Sequence, residues 1–353
     1  MGDYATLLAE ALFERFGWVS RFIIGTPAET EAPVEDRWLN SAVPARNAGA
    51  LARQLAELCQ DPQTHVVLVH ISGYGYQKRG TPFWFLKGLR AWRRNDKHTR
   101  LIGIFHELFA TGRVWKSAFW LSRAQRYVTR ELWRLCDHAL TNNQAYSNQL
   151  AAWRPDMQDE ISVNPVFSNV GEPDKIIPFL ERPPDMAVFG RPGLEQGIYI
   201  GPQSDSAASV ADRLGVERII DIGERIATLP PNLGNATVAS FGRLCRGSVS
   251  QYLQNCRYGL LNYDIARLGK SGVFAAYAAH GVIPICIGST ACATDDLEEG
   301  KHFLRWPFEC LPEDFPEIQR NLALWYQTHS LAEHAAVLNS WCGQRRGLKS
   351  IRC

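Results

Sequence analysis

The chain has 353 residues, more than a single hydrophobic core usually supports, so the sequence predicts two domains. Its hydrophobic content of 46% and formal net charge of +2 are ordinary for a soluble α/β protein. No stretch approaches the roughly 20 uncharged apolar residues of a membrane span, and the first residues do not form a signal sequence. We therefore expect a cytoplasmic protein.

The first half of the chain alternates short apolar runs with stretches of helical periodicity, which is typical of parallel α/β architecture. Strands are predicted at 20–25, 65–71, 100–105, 138–142 and 161–166. Helices are predicted between them, at 4–16, 46–59, 82–94, 113–134 and 143–153.

The second half repeats this pattern after a break rich in proline and glycine at 171–185, which is typical of an interdomain linker. Strands are predicted near 186–189, 217–222, 236–240, 257–262 and 282–287. The tail from about 315 to 343 has helical periodicity.

The first helix, 4–16, begins close to the start of the sequence, and Asp3 is placed to cap it. A Rossmann-like domain has a buried central strand and a glycine-rich turn before its first helix. We therefore expect the first N-terminal strand to be missing. That would leave either a gap beside strand 20–25 or a start site assigned about 15 to 20 residues downstream of the true one.

Residues 78–134 are strongly basic, with 14 Lys or Arg against three Asp or Glu, and five tryptophans are interspersed among these charges. Such a face suits an anionic membrane surface or a phosphate-bearing acceptor. Two alternatives stay open: solvated amphipathic helices whose tryptophans face the core, and a nucleic-acid surface. No known nucleic-acid motif accompanies the charge, so we expect no nucleic-acid partner.

Residues 257–285 combine a buried strand, a polar loop, a short helix and a second buried strand. Ser271 is a good N-cap for this helix, and Gly269 and Gly272 permit close approach of the backbone to a ligand. Lys270 adds positive charge beside N–H groups that already favour an anion. The segment therefore predicts a phosphate-sized anion site.

This order resembles the diphosphate loop of GT-B glycosyltransferases, in which a glycine-rich loop and helix precede a G-x-P strand, here Gly281-Val282-Ile283-Pro284. Gly190-Arg191 with Gly197 looks like the G-R-L-x-x-x-K-G loop of the retaining members. Residues 239–260 are similar to the segment that leads into the strand beneath the donor nucleotide. The likeness is to the group 1, family 4-like enzymes of bacterial polysaccharide synthesis.

The resemblance covers nearly the whole chain and implies an α/β fold of two tandem Rossmann-like domains with an interdomain cleft. The implied parts are an acceptor domain at 1–170, a linker at 171–185, a nucleotide-sugar domain at 186–314 and a helical tail at 315–353. The residues implied or predicted to bind the donor are Arg191, Arg243, Asn262, Tyr263, Lys270, Ser271 and Gly272.

The chain departs from the family pattern at three positions. Gln196 stands where the loop of the retaining members has lysine, and Leu268 and Ala276 align with their glutamate pair. An enzyme without these glutamates must hold its donor sugar and ribose differently, or it has lost catalysis.

Two polar groups follow strands of the first domain, at the strand ends where open α/β sheets place their sites. His106 and Glu107 come after strand 100–105, and the resemblance implies that such a histidine binds the donor sugar or acceptor, with Glu107 orienting it or acting as a base. The alternative is a structural histidine and a glutamate at a helix start. His70 opens a second loop, in which Tyr74 and Tyr76 suit a mobile acceptor platform or belong to an ordinary long loop.

These observations predict a glycosyltransferase that moves a sugar from a nucleoside diphosphate donor to a saccharide or lipid-linked saccharide, with retention. The nine cysteines form no C-x-x-C pair and no metal-ligand spacing with histidine, so neither a metal nor a cofactor is expected. One alternative is a catalytically silent GT-B subunit that binds nucleotide sugar or glycan. Another is a nucleotide-sugar epimerase or hydrolase on the same fold.

Overall fold

The computed structural model describes residues 2–25, 39–43, 46–61, 65–110, 117–190, 197–224, 229–288 and 291–343, with the backbone alone at 39–42, 117–120 and 343. It contains two compact units. Unit 1 comprises Met1–Asn164 and His334–Cys353, and unit 2 comprises Pro165–Glu333. Across the described ranges, no helix has both the length and the apolarity needed to cross a membrane.

Unit 1 alternates helices with parallel strands, as its apolar periodicity predicts. Its elements are α1 (Gly2–Phe16), β1 (Arg21–Ile24), β2 (Leu39–Ala42), α2 (Ala48–Cys59), β3 (Val66–Ile71), the single turn α3 (Gly73–Tyr76), α4 (Phe83–Asn95), β4 (Arg100–Phe105), α5 (Ser117–Leu135), β5 (His138–Thr141), α6 (Gln144–Trp153) and β6 (Ile161–Val163). The strands form two parallel sheets, β1-β2 and β3-β4-β5-β6. Each predicted strand of this half is present, and the last is shorter than expected.

The gap expected beside strand 20–25 is present. Within the described residues, β1 pairs only with β2 and β3 pairs only with β4, so each strand has one open edge. A cavity of about 770 Å³ lies between them, lined by Phe22 and Ile23 of β1 and by Val67 and Val69 of β3. The amino-terminal sheet is therefore divided where a central strand would stand.

The space between the two strands is too large to be part of a packed core. Cores are packed as closely as organic crystals, with few voids larger than one water molecule. The space of about 770 Å³ is lined by both apolar and polar side chains, the latter including Arg21, Asp61 and His65. It is therefore a groove that has room for water or another occupant.

Unit 2 is a second α/β unit, with strands β7 (Asp185–Phe189), β8 (Arg218–Ile222), β9 (Asn232–Leu233), β10 (Ala236–Ser240), β11 (Tyr258–Leu261), β12 (Ile283–Cys286) and β13 (Leu304–Arg305). Its helices include α7 (Ser204–Arg213), α8 (Arg246–Gln254), α9 (Gly272–His280) and α10 (Phe315–Gln327). The sheet order is β13-β12-β11-β7-β8-β10-β9, in which only β9 is antiparallel to its neighbour. The chain thus leaves β7 toward one side of the sheet and returns to its other side at β11.

The predicted linker 171–185 is packed into unit 2 and does not connect two domains. Phe179 is 4% exposed and lies in the hydrophobic core, and Arg182 is 2% exposed. The Arg182 guanidinium donates hydrogen bonds to the carbonyls of Ile177, Cys256 and His280. The proline content of this segment predicted an irregular linker, but the buried side chains of Phe179 and Arg182 hold the segment against unit 2.

The predicted tail 315–353 does not form a separate part of the molecule either. The helix α10 packs against α9 within unit 2. A further helix, α11 (Leu331–Gly343), joins unit 1 from His334 onward, where the Trp341 ring stacks on His138 at 4.8 Å. Apolar side chains on each helix therefore assign the two helices to different cores.

The helix α9 lies tightly on the sheet because its residues are small. Ala275, Ala276, Ala278 and Ala279 are all buried, and the helix ends at Gly281 in the left-handed conformation. The side chain of Tyr277, a large residue of this helix, reaches over two adjacent strands. Its hydroxyl donates to the carbonyls of Ala187 in β7 and Leu260 in β11, at 3.0 and 3.4 Å.

The Tyr277 ring has room only because residue 259, directly beneath it, is glycine. A Cβ atom at Gly259 would lie 2.5 Å from the ring. The helix and the two strands are thus joined at a point where no other residue type fits.

Candidate functional site

The carboxyl ends of β7, β11 and β12 lie side by side in unit 2. β7 is the first strand of the sheet, and its neighbours β8 and β11 are reached by connections on opposite sides. Open α/β sheets bind ligands outside the carboxyl ends of the strands at such a switch point. Most of the predicted donor residues follow these strands in the sequence.

Ser271 is the N-cap of α9, as predicted. Its hydroxyl accepts a hydrogen bond from the backbone N–H of Phe274 at 3.2 Å, and the residue is 5% exposed. The hydroxyl therefore caps the helix, and its predicted contact with the donor stays a prediction because its own O–H remains able to donate. The N–H groups at the helix start have no acceptor within the helix and carry the positive end of its dipole.

Lys270 and Gly272 flank this cap. Lys270 is half-buried and is the last residue of a 3₁₀ turn, Ile265–Lys270, so its backbone directly precedes the cap. A Cβ atom at Gly272 would lie 3.8 Å from Asn169, an ordinary contact distance, so glycine is not sterically required here.

Asn262, directly after β11, is enclosed by two glycines. A Cβ atom at Gly197 would lie 2.8 Å from Asn262 Nδ2, and one at Gly288, after β12, would lie 3.4 Å from Asn262 Oδ1. Gln203 also approaches Gly288, at 3.2 Å. These residues form a tight polar recess at the switch point, and sequence analysis missed Gln203 and Gly288.

The other predicted donor residues are less closely placed. Tyr263 is half-buried next to Asn262. Arg243 follows β10, two strands from β7, where it is exposed and pairs with Glu224 at 3.5 Å. Arg191 lies outside the described residues.

Sequence analysis also missed a buried carboxylate on β8. Asp221 is 3% exposed and accepts hydrogen bonds from the hydroxyls of Tyr199 and Ser240, each at 3.0 Å. Burial raises the pKa of Asp221, while the two hydrogen bonds act in the opposite direction. An aspartate inside the apolar run Ile219 to Ile222 was the available signal.

In unit 1, the predicted residues His70 and His106 form a contact pair. They lie at the carboxyl ends of β3 and β4, which pair in register, and His70 Nδ1 is 3.0 Å from His106 Nε2. The ring planes lie within 11° of each other and the centroids are 5.3 Å apart, as expected for two rings joined edge to edge by this hydrogen bond. One of these nitrogens must carry the proton and the other must accept it, so at least one of the two rings is neutral.

Tyr4 of α1 closes over this pair. Its ring meets both histidine rings edge-on, with centroids 5.7 Å from His70 and 4.8 Å from His106. Burial lowers the pKa of His70 to about 4 and raises that of Tyr4. Both groups are therefore neutral near pH 7.

Glu107 does not orient His106, contrary to one prediction. Its exposed carboxylate instead accepts a hydrogen bond from the Ser72 hydroxyl at 3.3 Å. The side chains of consecutive residues diverge after the strand end, which explains why adjacency in sequence did not produce a contact here.

The loop after His70 is closed by contacts between its ends and by Tyr76. A Cβ atom at Gly73 would lie 2.4 Å from the carbonyl oxygen of Gly80, so the two ends of the loop touch. Tyr76 donates to the backbone carbonyl of His70 at 2.7 Å and stacks on Phe85. Tyr74 is 47% exposed, so of the two tyrosines it is the more accessible.

No family model matches the chain, and no curated protein matches it. Solved structures do match. A glycosyltransferase from Rickettsia africae ESF-5 has a TM-score of 0.59 at 10% identity, over 96% of this chain and 93% of the other. An alpha-glucosyltransferase in complex with UDP-glucose and DNA containing an abasic site has a TM-score of 0.56 at 10% identity, over 92% and 91%. Anabaena Alr3699/HepE in complex with UDP-glucose has a TM-score of 0.56 at 12% identity, over 96% of each chain.

The fold is that of GT-B glycosyltransferases. At these sequence identities the likeness establishes the fold alone. Within this GT-B fold, the two positions expected for glutamates are part of the core: Leu268 is 1% exposed and Ala276 is 0% exposed. Among the residues that the structure describes, no three His, Cys, Asp or Glu side chains cluster as a metal site would require.

The described tryptophan side chains of the basic segment 78–134 are buried or half-buried. Trp92 and Trp133 are buried in the core of unit 1, and the buried Arg93 is paired with Asp137. Trp115 and the side chain of Trp120 lie outside the description. The exposed part of the segment on α5 carries Arg123, Tyr127, Arg130 and Arg134 at helical spacing.

Proposed function

We propose that this chain is a glycosyltransferase that moves a sugar from a nucleoside diphosphate sugar to a saccharide or lipid-linked saccharide, with retention. The observation that supports it most is the start of α9. A buried serine caps the helix, Lys270 is the residue directly before that serine, and the helix start follows the central strand β11. This combination suits the diphosphate of such a donor.

The chemistry requires that the departing nucleoside diphosphate be stabilised as negative charge develops on it. Fixed N–H dipoles and a held cation stabilise that charge without having to reorganise during the reaction. We assign this role to the backbone at the start of α9 and to Lys270. Asn262, in its glycine-walled recess, is assigned to the polar groups of the donor.

The histidine pair of unit 1 is assigned to sugar hydroxyls. His70 Nδ1 and His106 Nε2 face each other, so the ring atoms outside this bond are His70 Nε2 and His106 Nδ1. A neutral pair presents one donor and one acceptor there, which suits hydroxyl groups better than phosphate. A neutral histidine is also able to act as a base toward an acceptor hydroxyl.

A catalytically silent subunit that binds nucleotide sugar is the second candidate. It is favoured by Leu268 and Ala276, whose buried apolar side chains supply no carboxylate to the donor. Release of free nucleoside diphosphate that depends on an acceptor distinguishes the enzyme from the binder.

The first experiment measures nucleotide affinity. Thermal-shift and calorimetric assays test UDP and UDP-glucose first, because two of the matched structures hold UDP-glucose. GDP, ADP and CMP nucleotides and the corresponding nucleotide sugars are tested next. Lys270→Ala should weaken binding by about 1–3 kcal/mol, the scale of a charge-assisted hydrogen bond. Lys301→Ala is the matched control, because Lys301 is exposed in the same unit and pairs with Glu298.

Equal nucleotide affinity for the wild type and the Lys270→Ala variant would remove Lys270 from the site. No binding across the whole panel would contradict the proposed function itself. The acceptor panel includes DNA beside oligosaccharides and lipid-linked saccharides, because the matched alpha-glucosyltransferase complex contains DNA. The expectation that this chain has no nucleic-acid partner stays a prediction.

Peripheral contact with an anionic membrane is proposed for the exposed cations of α5. Co-sedimentation with anionic liposomes should fall with added salt, because the attraction is screened within about 10 Å at 0.1 M. It should also fall when Arg123 and Arg130 are both changed to Gln, but not in the Arg213→Gln control. Binding that ignores both lipid charge and salt would exclude this contact.

A further inference from the structure

The divided sheet of unit 1 has the geometry of a site for one more strand. Among the described residues, one edge of β1 and one edge of β3 have no strand partner, and these two edges border the gap together with apolar side chains such as those of Leu8 and Leu12. A strand edge presents a row of N–H and C=O groups that readily pair with another extended chain. The cavity of about 770 Å³ is therefore bounded by two surfaces that recognise the same kind of occupant.

The helix α1 shows the direction of this occupant. Its first turn lies at the carboxyl ends of β3 and β4, because Tyr4 contacts His70 and His106 there. The apolar face of α1 lines the gap through the buried side chains of Leu8 and Leu12. The helix then leads through residues 17–20 into β1, so it runs back across the gap to the opposite end of the sheet.

A helix that returns across a sheet into a parallel strand is the second half of a β-α-β unit. The first half would be a strand beside β1, parallel to it, whose carboxyl end meets the amino end of α1. The gap lies at that place and is open along β3, which is six residues long.

We propose that the gap is a strand-acceptor groove, occupied by an extended segment of about five or six residues joined to the amino side of Gly2. The segment runs parallel to β1 and β3 and pairs with both. Because each of its faces would be covered, it is a continuous apolar run rich in Val, Ile and Leu. Its carboxyl end and the turn that follows emerge beside His70 and His106 and complete that part of the candidate site.

The test compares three forms of the protein. The first is the 353-residue chain. The second carries an amino-terminal extension with a Val/Ile run and a glycine turn. The third carries the same extension with two prolines in the run, because proline cannot donate to a strand ladder. Amide hydrogen exchange along β1 and β3, the thermal midpoint and the binding of an apolar dye are measured, with the oligomeric state recorded by sedimentation.

The apolar extension should slow exchange of the β1 and β3 amides by on the order of 100-fold relative to the proline form. It should also raise the thermal midpoint by about 10 °C and reduce dye binding. Equal exchange in the two extended forms would overturn the proposal. The proposal would also be overturned if the amides of β1 and β3 exchange slowly in the 353-residue chain without any extension, either as a monomer or as a concentration-dependent dimer. Because none of these measurements involves a nucleotide sugar, their outcome is independent of the proposed function.

Discussion

Removing the Arg182 guanidinium should destabilise unit 2 by breaking a buried junction. Arg182 is 2% exposed, and it donates to Ile177 O from Nε and Nη2, to Cys256 O from Nη1 and to His280 O from Nη2, at 2.6 to 2.9 Å. His280 is the last residue of α9, so the cation also lies at the negative end of that helix. The guanidinium therefore ties the segment before β7 to the helix that carries the candidate donor site.

The magnitude follows from the groups that Arg182→Ala leaves behind. Three carbonyls lose a charged donor, and a buried acceptor without a partner costs about 1–3 kcal/mol. Entry of water into the vacated space offsets part of this, so we expect a total loss of about 4 kcal/mol. For a unit of this size, that loss corresponds to a fall in Tm of about 8–16 °C.

Calorimetric and urea unfolding of Arg182→Ala, Arg182→Lys and Arg213→Ala measure this effect. The lysine variant should recover only part of the loss, because one ammonium cannot replace a planar fork with donors in three directions. Arg213 is the matched control, since it is exposed in the same unit and donates to the backbone carbonyl of Glu309 at 3.1 Å. We expect a change within about 0.5 kcal/mol for it. If Arg182→Ala unfolds like the Arg213→Ala control, the assignment of Arg182 as a structural junction is wrong.

Three further predictions address the site. Ser271→Ala should lower the free energy of urea unfolding by about 1 kcal/mol and Ser271→Asn should restore it, whereas equal stability of both variants would contradict the capping role. Gly197→Ala should displace Asn262, whose Nδ2 would lie 2.8 Å from the new Cβ, and should weaken nucleotide binding by about tenfold in calorimetry; unchanged affinity would exclude the recess. Burial holds the pKa of His70 at about 4 against 6.5 when unfolded, so the unfolded state binds the proton first and stability is lost as pH falls from 6.5 to 4. At 1.36 kcal/mol per unit this amounts to about 3 kcal/mol, and the loss should be absent from His70→Gln in a pH series of urea unfolding.

Most of the fold follows from patterns in the sequence. Buried runs such as those of β4 and β11 have strong apolar signals, and their alternation with helices dictates a parallel arrangement. The division between β1 and β3 agrees with the gap expected beside strand 20–25. By contrast, Leu39–Ala42 has no apolar alternation, and its pairing with β1 was not predictable from its sequence.

The candidate site was predictable in its placement but not in its contacts. Strand ends located His70 and His106, and the pairing of β3 with β4 brings their rings together. The direction of Glu107 depends on side-chain geometry that adjacency in sequence does not reveal. Arg182 was missed because an arginine among prolines has the composition of a solvated linker, and only the fold brings three carbonyls around it.

The contact between Tyr277 and Gly259 has a consequence for how a ligand would be received. A hydroxyl that bonds two adjacent strands, on a ring seated over a glycine, prevents α9 from rotating about its own axis or sliding along the sheet. The N–H groups at the helix start therefore keep one direction in space before any anion arrives. A ligand that binds there does not have to order the helix, so none of its binding free energy is lost to that step and the affinity is correspondingly higher.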